Sequence, residues 1–140
     1  MKLRIRGNSI RLRLGRSEVS RMISDGVVGE STTFDAAGRQ RLEYLLVSTP
    51  EVSFVSATFE ESCVVVRVPA DLVHAWGTSD EIGIDATQTT SDGSTLRILI
   101  EKDLECIDAP VEESQEDAFP RPVNGVACSS PSILGTLVAD

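Results

Sequence analysis

Residues Leu3 to Leu14, LRIRGNSIRLRL, alternate between aliphatic and polar side chains, and the parity of that alternation shifts at Gly7-Asn8. Alternation sends every second side chain to the same face of a strand, so no other stretch of the chain constrains the fold as tightly. Leu3 and Ile5 share one face before the Gly-Asn pair, and Ile10, Leu12 and Leu14 share one after it. With Gly7-Asn8 as a two-residue hairpin turn, Arg6 faces Ser9, Ile5 faces Ile10, Arg4 faces Arg11 and Leu3 faces Leu12. That register gathers the aliphatics on one face and Lys2, Arg4, Arg6, Arg11 and Arg13 on the other. One long strand with a glycine bulge shifts the parity in the same way.

Further along, GRSEVSRMISDG has Val19, Met22 and Ile23 at helical spacing, with Gly15 or Ser17 to start the helix and Gly26 to stop it. VVGESTTF and RLEYLLVS read as strands around the turn DAAGRQ, and VSFVSATF and CVVVRVP as a hairpin around EES. ADLVHAWG repeats the helical spacing through Leu72, Val73 and Trp76. EIGID is a brief strand, TQTTSDGS a loop and TLRILIEKDLECI the last strand of the core. These elements predict an α+β fold: a mainly antiparallel, curled or barrel-like sheet of about seven strands, an N-terminal β-hairpin and two short helices on the apolar side. Residues 1–108 form the single globular domain. Residues 109–140, acidic and Pro-interrupted and then Gly/Ser/Pro-containing, are expected to be a largely disordered tail, with Ile133 to Val138 able to dock on the body. A weak repeat runs through the domain: Arg13-Leu14-Gly15 to Val28-Gly29 aligns with Arg67-Val68-Pro69 to Ile82-Gly83. Its second copy, VRVPADLVHAWGTSDEIGI, is similar to the strand-Pro-helix-strand unit of swapped-hairpin transcription factors, whose basic dimers bind DNA.

Charge bears on that comparison. The chain of 140 residues has a formal net charge of -9, yet residues 1–21 carry seven basic groups against the single acid Glu18. An acidic body argues against nucleic acid as the partner, because affinity for phosphate backbones needs positive surface. A basic patch on such a body suits one small anion or a protein partner, or is neutralised within the chain. No apolar run is long enough to suggest a membrane span, and charges interrupt the N-terminus where a signal peptide would be apolar. The three cysteines, Cys63, Cys106 and Cys128, are odd in number and lack CxxC spacing, and His74 is the only histidine. A reduced, cytoplasmic protein without a zinc site or other cofactor is the expectation.

Two segments could carry chemistry. In the hairpin register Arg4 lies opposite Arg11 and Lys2 opposite Arg13, an unfavourable arrangement in a sheet. Two such charges about 4 Å apart repel by roughly 1 kcal/mol in water and roughly 4 kcal/mol at an effective dielectric near 20. The face must be solvated, matched by carboxylates, or occupied by an anion that guanidinium forks would grip. The anion- or partner-binding candidates are therefore Arg4, Arg6, Asn8, Ser9, Arg11 and Arg13. The second segment is Glu101-Lys102-Asp103, whose carboxylates, two apart, share one face of a strand. They are charge-compensating candidates, or acid-base and divalent-metal groups of a phosphate-handling enzyme. Triphosphate-tunnel enzymes line barrels with acids and bases in this manner, but their N-terminal Glu-x-Glu-x-Lys signature is absent. His74 reads as a surface histidine and Trp76 as a core anchor. With no nucleophile elbow, P-loop or dinucleotide-binding glycine pattern, no catalytic residue is assigned and the chain reads as a non-catalytic binding or interaction domain.

The opening MKLRIRGNSIRLRLGRSEV, the middle VVVRVPADLVHAW with EIGID, and the close LRILIEKDLECID then EDAFPRP resemble a family of small uncharacterised bacterial proteins, a domain of unknown function. The resemblance runs from Met1 to about Pro122, over an opening like MK-[IL]-RI-[RK]-GNS-[IV]-R and a late EKDxxC. It implies a small single-domain protein and brings no activity with it. One position departs: members often carry Thr, a better N-cap, where Gly15 stands.

Overall fold

In the computed structural model, which describes residues 1–104 and 117–120, the parity shift at Gly7-Asn8 is a hairpin. Strand β1 (Lys2–Arg6) pairs antiparallel with β2 (Ser9–Leu14), Leu3 opposite Leu12, Arg4 opposite Arg11 and Ile5 opposite Ile10. Gly7 turns the chain at φ 54°, a left-handed conformation that glycine adopts without steric penalty. Helix α1 (Arg16–Ser24) follows, then the antiparallel pair β3 (Val27–Thr33) and β4 (Arg41–Thr49). The second half runs β5 (Ser56–Glu60), β6 (Cys63–Pro69), α2 (Ala70–Gly77), β7 (Gly83–Thr89) and β8 (Thr95–Lys102).

The α+β class holds, and the sheet arrangement departs from expectation. Eight strands form two four-stranded mixed sheets, β1-β2-β8-β7 (sheet A) and β3-β4-β6-β5 (sheet B), which do not close into a barrel. Four pairings are antiparallel hairpins, whereas β2 pairs with β8 and β4 with β6 in parallel. Neither parallel pair is a hairpin, with partners 88 positions apart in β2–β8 and 20 apart in β4–β6, and alternation within a strand carries no information about such a neighbour. The brief strand expected at EIGID extends through Thr89, because Ile84, Ala86 and Gln88 continue its inward face with small or polar residues that hide the alternation.

The weak repeat is a structural one. Starting residues Lys2 and Ser56, Ser9 and Cys63, Arg16 and Ala70, and Arg41 and Thr95 are each 54 positions apart. That shift turns the order β1-β2-β8-β7 into β5-β6-β4-β3, which is sheet B read from its other edge. Each half therefore sends its first hairpin to one sheet and its second to the other. Neither half holds a complete sheet, so the core forms only when both interleave. Leu12, Leu14, Leu46, Val66, Ile98 and Ile100 fill it from the two sheets, and Met22 and Trp76 from the helices.

Side chains span both gaps between the sheets. On one side the Gln88 amide accepts from the Ala57 N–H at 2.8 Å and donates to the Ala57 carbonyl at 2.9 Å, linking β7 to β5. On the other, the Met1 ammonium meets Glu30 of β3 at 2.6 Å and also donates to Glu18 of α1. The helices pack through Gly77, where a side chain would collide with Ile23. His74 is exposed and Trp76 is 1% exposed, while Leu72 points outward more than the helical stripe suggests. No helix among the described residues is long and apolar enough to cross a membrane. The expectation for 109–140 lies outside the described residues except at 117–120, where Phe119 pairs with Leu104 and donates its N–H to the Asp103 carbonyl at 2.7 Å.

Candidate functional site

Alternation along sheet A puts Lys2, Arg4, Arg6, Arg11, Arg13 and Arg97 on its outer face, together with Asp85, Glu101 and Asp103. The parallel register aligns Arg13 with Glu101 and Arg11 with Leu99, so one carboxylate stands beside two guanidinium groups. Glu101 Oε1 lies 3.3 Å from Arg11 Nε and 3.5 Å from Arg13 Nε. Lys2 Nζ reaches Asp103 Oδ2 at 3.0 Å, and Arg97 grips Asp85 with both ends of its fork, at 3.3 and 2.9 Å. Arg11 Nε is buried, and its contact with Glu101 falls outside hydrogen-bond geometry. Arg4, directly opposite Arg11, meets no carboxylate among the described residues.

The structure divides the remaining sequence candidates. Asn8 donates from Nδ2 to the Thr95 carbonyl at 2.5 Å, and its own carbonyl accepts from Arg97 N–H at 3.0 Å, so its role is to lock the hairpin turn onto β8. Ser9 is half-buried at the hairpin end, aligned with Arg97, and Arg6 is exposed beside it. Lys102 leaves the cluster altogether. It points to the opposite face of β8, is 6% exposed, and donates from Nζ to the Ser79 carbonyl at 2.7 Å. Its ammonium sits 5.9 Å from the centre of the Trp76 ring and 5.4 Å from that of Phe119. Burial pushes its pKa down, against the raising influence of Asp80 and Glu81.

Arg97 and Asp85 belong to the face and were not among the sequence candidates. Parity from Arg97 through Leu99 to Glu101 is the signal that finds Arg97. The shared topology does not generate the charge. Shifted by the repeat, Arg11, Leu99 and Glu101 correspond to the half-buried aliphatics Val65, Leu45 and Val47 on sheet B, although Arg13 corresponds to Arg67. Among the described residues no group of three or more His, Cys, Asp or Glu could hold a metal ion. Cys63 is a free, half-buried thiol whose pKa burial raises.

The Met1 ammonium borders the face. Burial alone would lower its pKa, but the hydrogen bonds from it to Glu18 and Glu30 outweigh that and hold it above 8.0. A raised folded-state pKa contributes stability that is complete below about pH 8 and lost as pH rises through the folded value. Glu30→Gln should therefore destabilise the protein by about 1 kcal/mol at pH 7 and by less at pH 10. Urea denaturation at the two pH values checks this, and an equal loss at both would separate Glu30 from the ammonium.

Fold and face together define a duplicated α+β domain with interleaved hairpins and one cation-rich sheet surface. Over residues 1–123 the chain matches DUF7009, a family of unknown function, and it belongs to that family. No curated protein and no solved structure matches it.

Proposed function

We propose that the protein is a non-catalytic binding domain of the cytoplasm whose outer sheet A face receives a small phosphate-bearing anion. The observation that carries this reading is an imbalance among the described residues: six cations and three carboxylates of that set occupy the face, in a chain of net charge -9. Glu101 serves two arginines at once, and Arg4 adds a further cation above Arg11. A tetrahedral oxyanion suits such a cation-rich face, since its oxygens can meet several guanidinium forks in charge-assisted hydrogen bonds. The carboxylates are poorly placed for acid-base catalysis, because Glu101 is held between Arg11 and Arg13 and Asp103 by Lys2. Residues 1–108 are the binding unit in this reading, and 109–140 an appended tail. The odd cysteine number and the free Cys63 thiol support a reducing compartment.

A thermal-shift series at low ionic strength tests the reading. Pyrophosphate at about 100 times its dissociation constant should stabilise the protein by about 2.7 kcal/mol. The shift should shrink with added salt and vanish in the Arg4→Gln, Arg11→Gln double variant. An undiminished shift in that variant places the anion elsewhere, and no shift in the wild type removes the anion site.

A further inference from the structure

Where the basic face meets the first turn of α1, a cavity of about 320 Å³ is lined by Lys2, Arg13 and Arg21, by the acids Glu18 and Asp103, and by Ser17. Lys2 and Arg13 belong to both, so the cavity continues the face. The chain itself has placed a carboxylate there. Asp117 Oδ1 accepts from the Ser17 N–H at 3.0 Å, Oδ2 accepts from the Ser17 hydroxyl at 2.7 Å, and the Asp117 carbonyl accepts from the Arg16 N–H at 2.8 Å. Backbone N–H groups at a helix start and nearby cations together favour an anion. Gly15 makes room for it, because a β-carbon at that position would collide with the Asp117 carboxylate. That accounts for a glycine as helix cap: the capping oxygen comes from Asp117, while Glu18 reaches back to the Gly15 N–H at 2.9 Å.

Asp117 opens a short turn. It is exposed itself, and two residues on, Phe119 hydrogen-bonds Asp103 and lays its ring beside Lys102. The other side of Lys102 faces Trp76, the one tryptophan of the chain. The cavity, the turn and the indole are thus linked through direct contacts.

We propose that Asp117 is an internal competitor for the anion of the basic face: its carboxylate occupies the cavity end of that face, and a phosphate-bearing ligand enters by displacing it. This rests on the anion reading of the face. Displacement lifts the 117–119 turn from α1, moves Phe119 away from Lys102 and changes the surroundings of Trp76. Removing the carboxylate removes the competitor, so the ligand should bind more tightly to a chain that lacks it.

Calorimetric titration of the full chain with pyrophosphate at low ionic strength tests the proposal, with Trp76 fluorescence followed in parallel. Asp117→Ser retains an N-capping hydroxyl and Asp117→Asn retains the size and hydrogen-bond acceptor, so at least one variant keeps the helix start. Both should bind at least tenfold more tightly than wild type, because neither carries the competing charge, and saturating ligand should bring Trp76 emission to the same final value in all three proteins. Equal affinity in all three proteins overturns the competition and leaves the face reading intact, provided Arg4→Gln with Arg11→Gln still abolishes binding. Binding by none of them overturns both.

Discussion

Glu101→Gln should lower folding stability by about 2–3 kcal/mol. Removing one partner from a buried ion pair typically costs about 3–5 kcal/mol, and the 24% exposure of Glu101 reduces that figure. The loss is large because the residue separates two like charges. Without it, Arg11 and Arg13 keep their half-buried positions and the anion they share becomes neutral. Arg13→Gln introduced together with Glu101→Gln should restore part of the loss, since it removes one member of the repelling pair. High salt should narrow the deficit by screening the exposed part of the repulsion. Urea denaturation of the wild type, the two single variants and the double variant measures the coupling. Full additivity would mean that water already screens the two arginines from each other.

The second large effect lies beneath the opposite face of β8. Trp76→Ala should destabilise the protein by about 3–5 kcal/mol, the usual loss for deleting a large buried aromatic. The indole is 1% exposed, donates to the Ile82 carbonyl at 3.0 Å and faces the Lys102 ammonium. Truncation opens a cavity under α2 and takes away one of the two rings beside a buried cation. Trp76→Phe preserves most of the volume and loses the hydrogen bond, so it should cost about 1–2 kcal/mol. The gap between the two variants in chemical denaturation separates packing from the polar contact. If Trp76→Phe were as damaging as Trp76→Ala, the Ile82 hydrogen bond would be the dominant contribution instead.

These two residues show how differently parts of this molecule follow from local pattern. Alternation about Gly7-Asn8 is enough to set the register of β1 and β2, because the parity shift and the need to bury the aliphatics admit the same pairing. Helical spacing finds Val19, Met22, Val73 and Trp76, all of them buried. Parity likewise places Glu101 and Asp103 on one face, but it sends Lys102 to the other, and treating the three as one cluster passes over that alternation. The strand at β7 is half hidden, since Ala86 and Gln88 occupy inward positions without a strong apolar signal.

Which strands become neighbours is another matter. Leu14 and Lys102 are partners in the parallel pairing of β2 with β8, although 88 positions separate them. That pairing turns an arginine face and a Glu-Lys-Asp triplet into one ion-pair cluster. It is decided by the interleaving of the two repeats, because only the full set of hairpins covers both apolar faces. The Asp117 contact is less accessible still to a sequence reading, with 100 positions between it and Ser17 and no periodicity to announce it. The sequence alone determined which side of its strand each charge takes, because side-chain direction is a property of one strand's own geometry. Only the tertiary structure decided which charges meet, because that depends on closing a core to which both halves contribute.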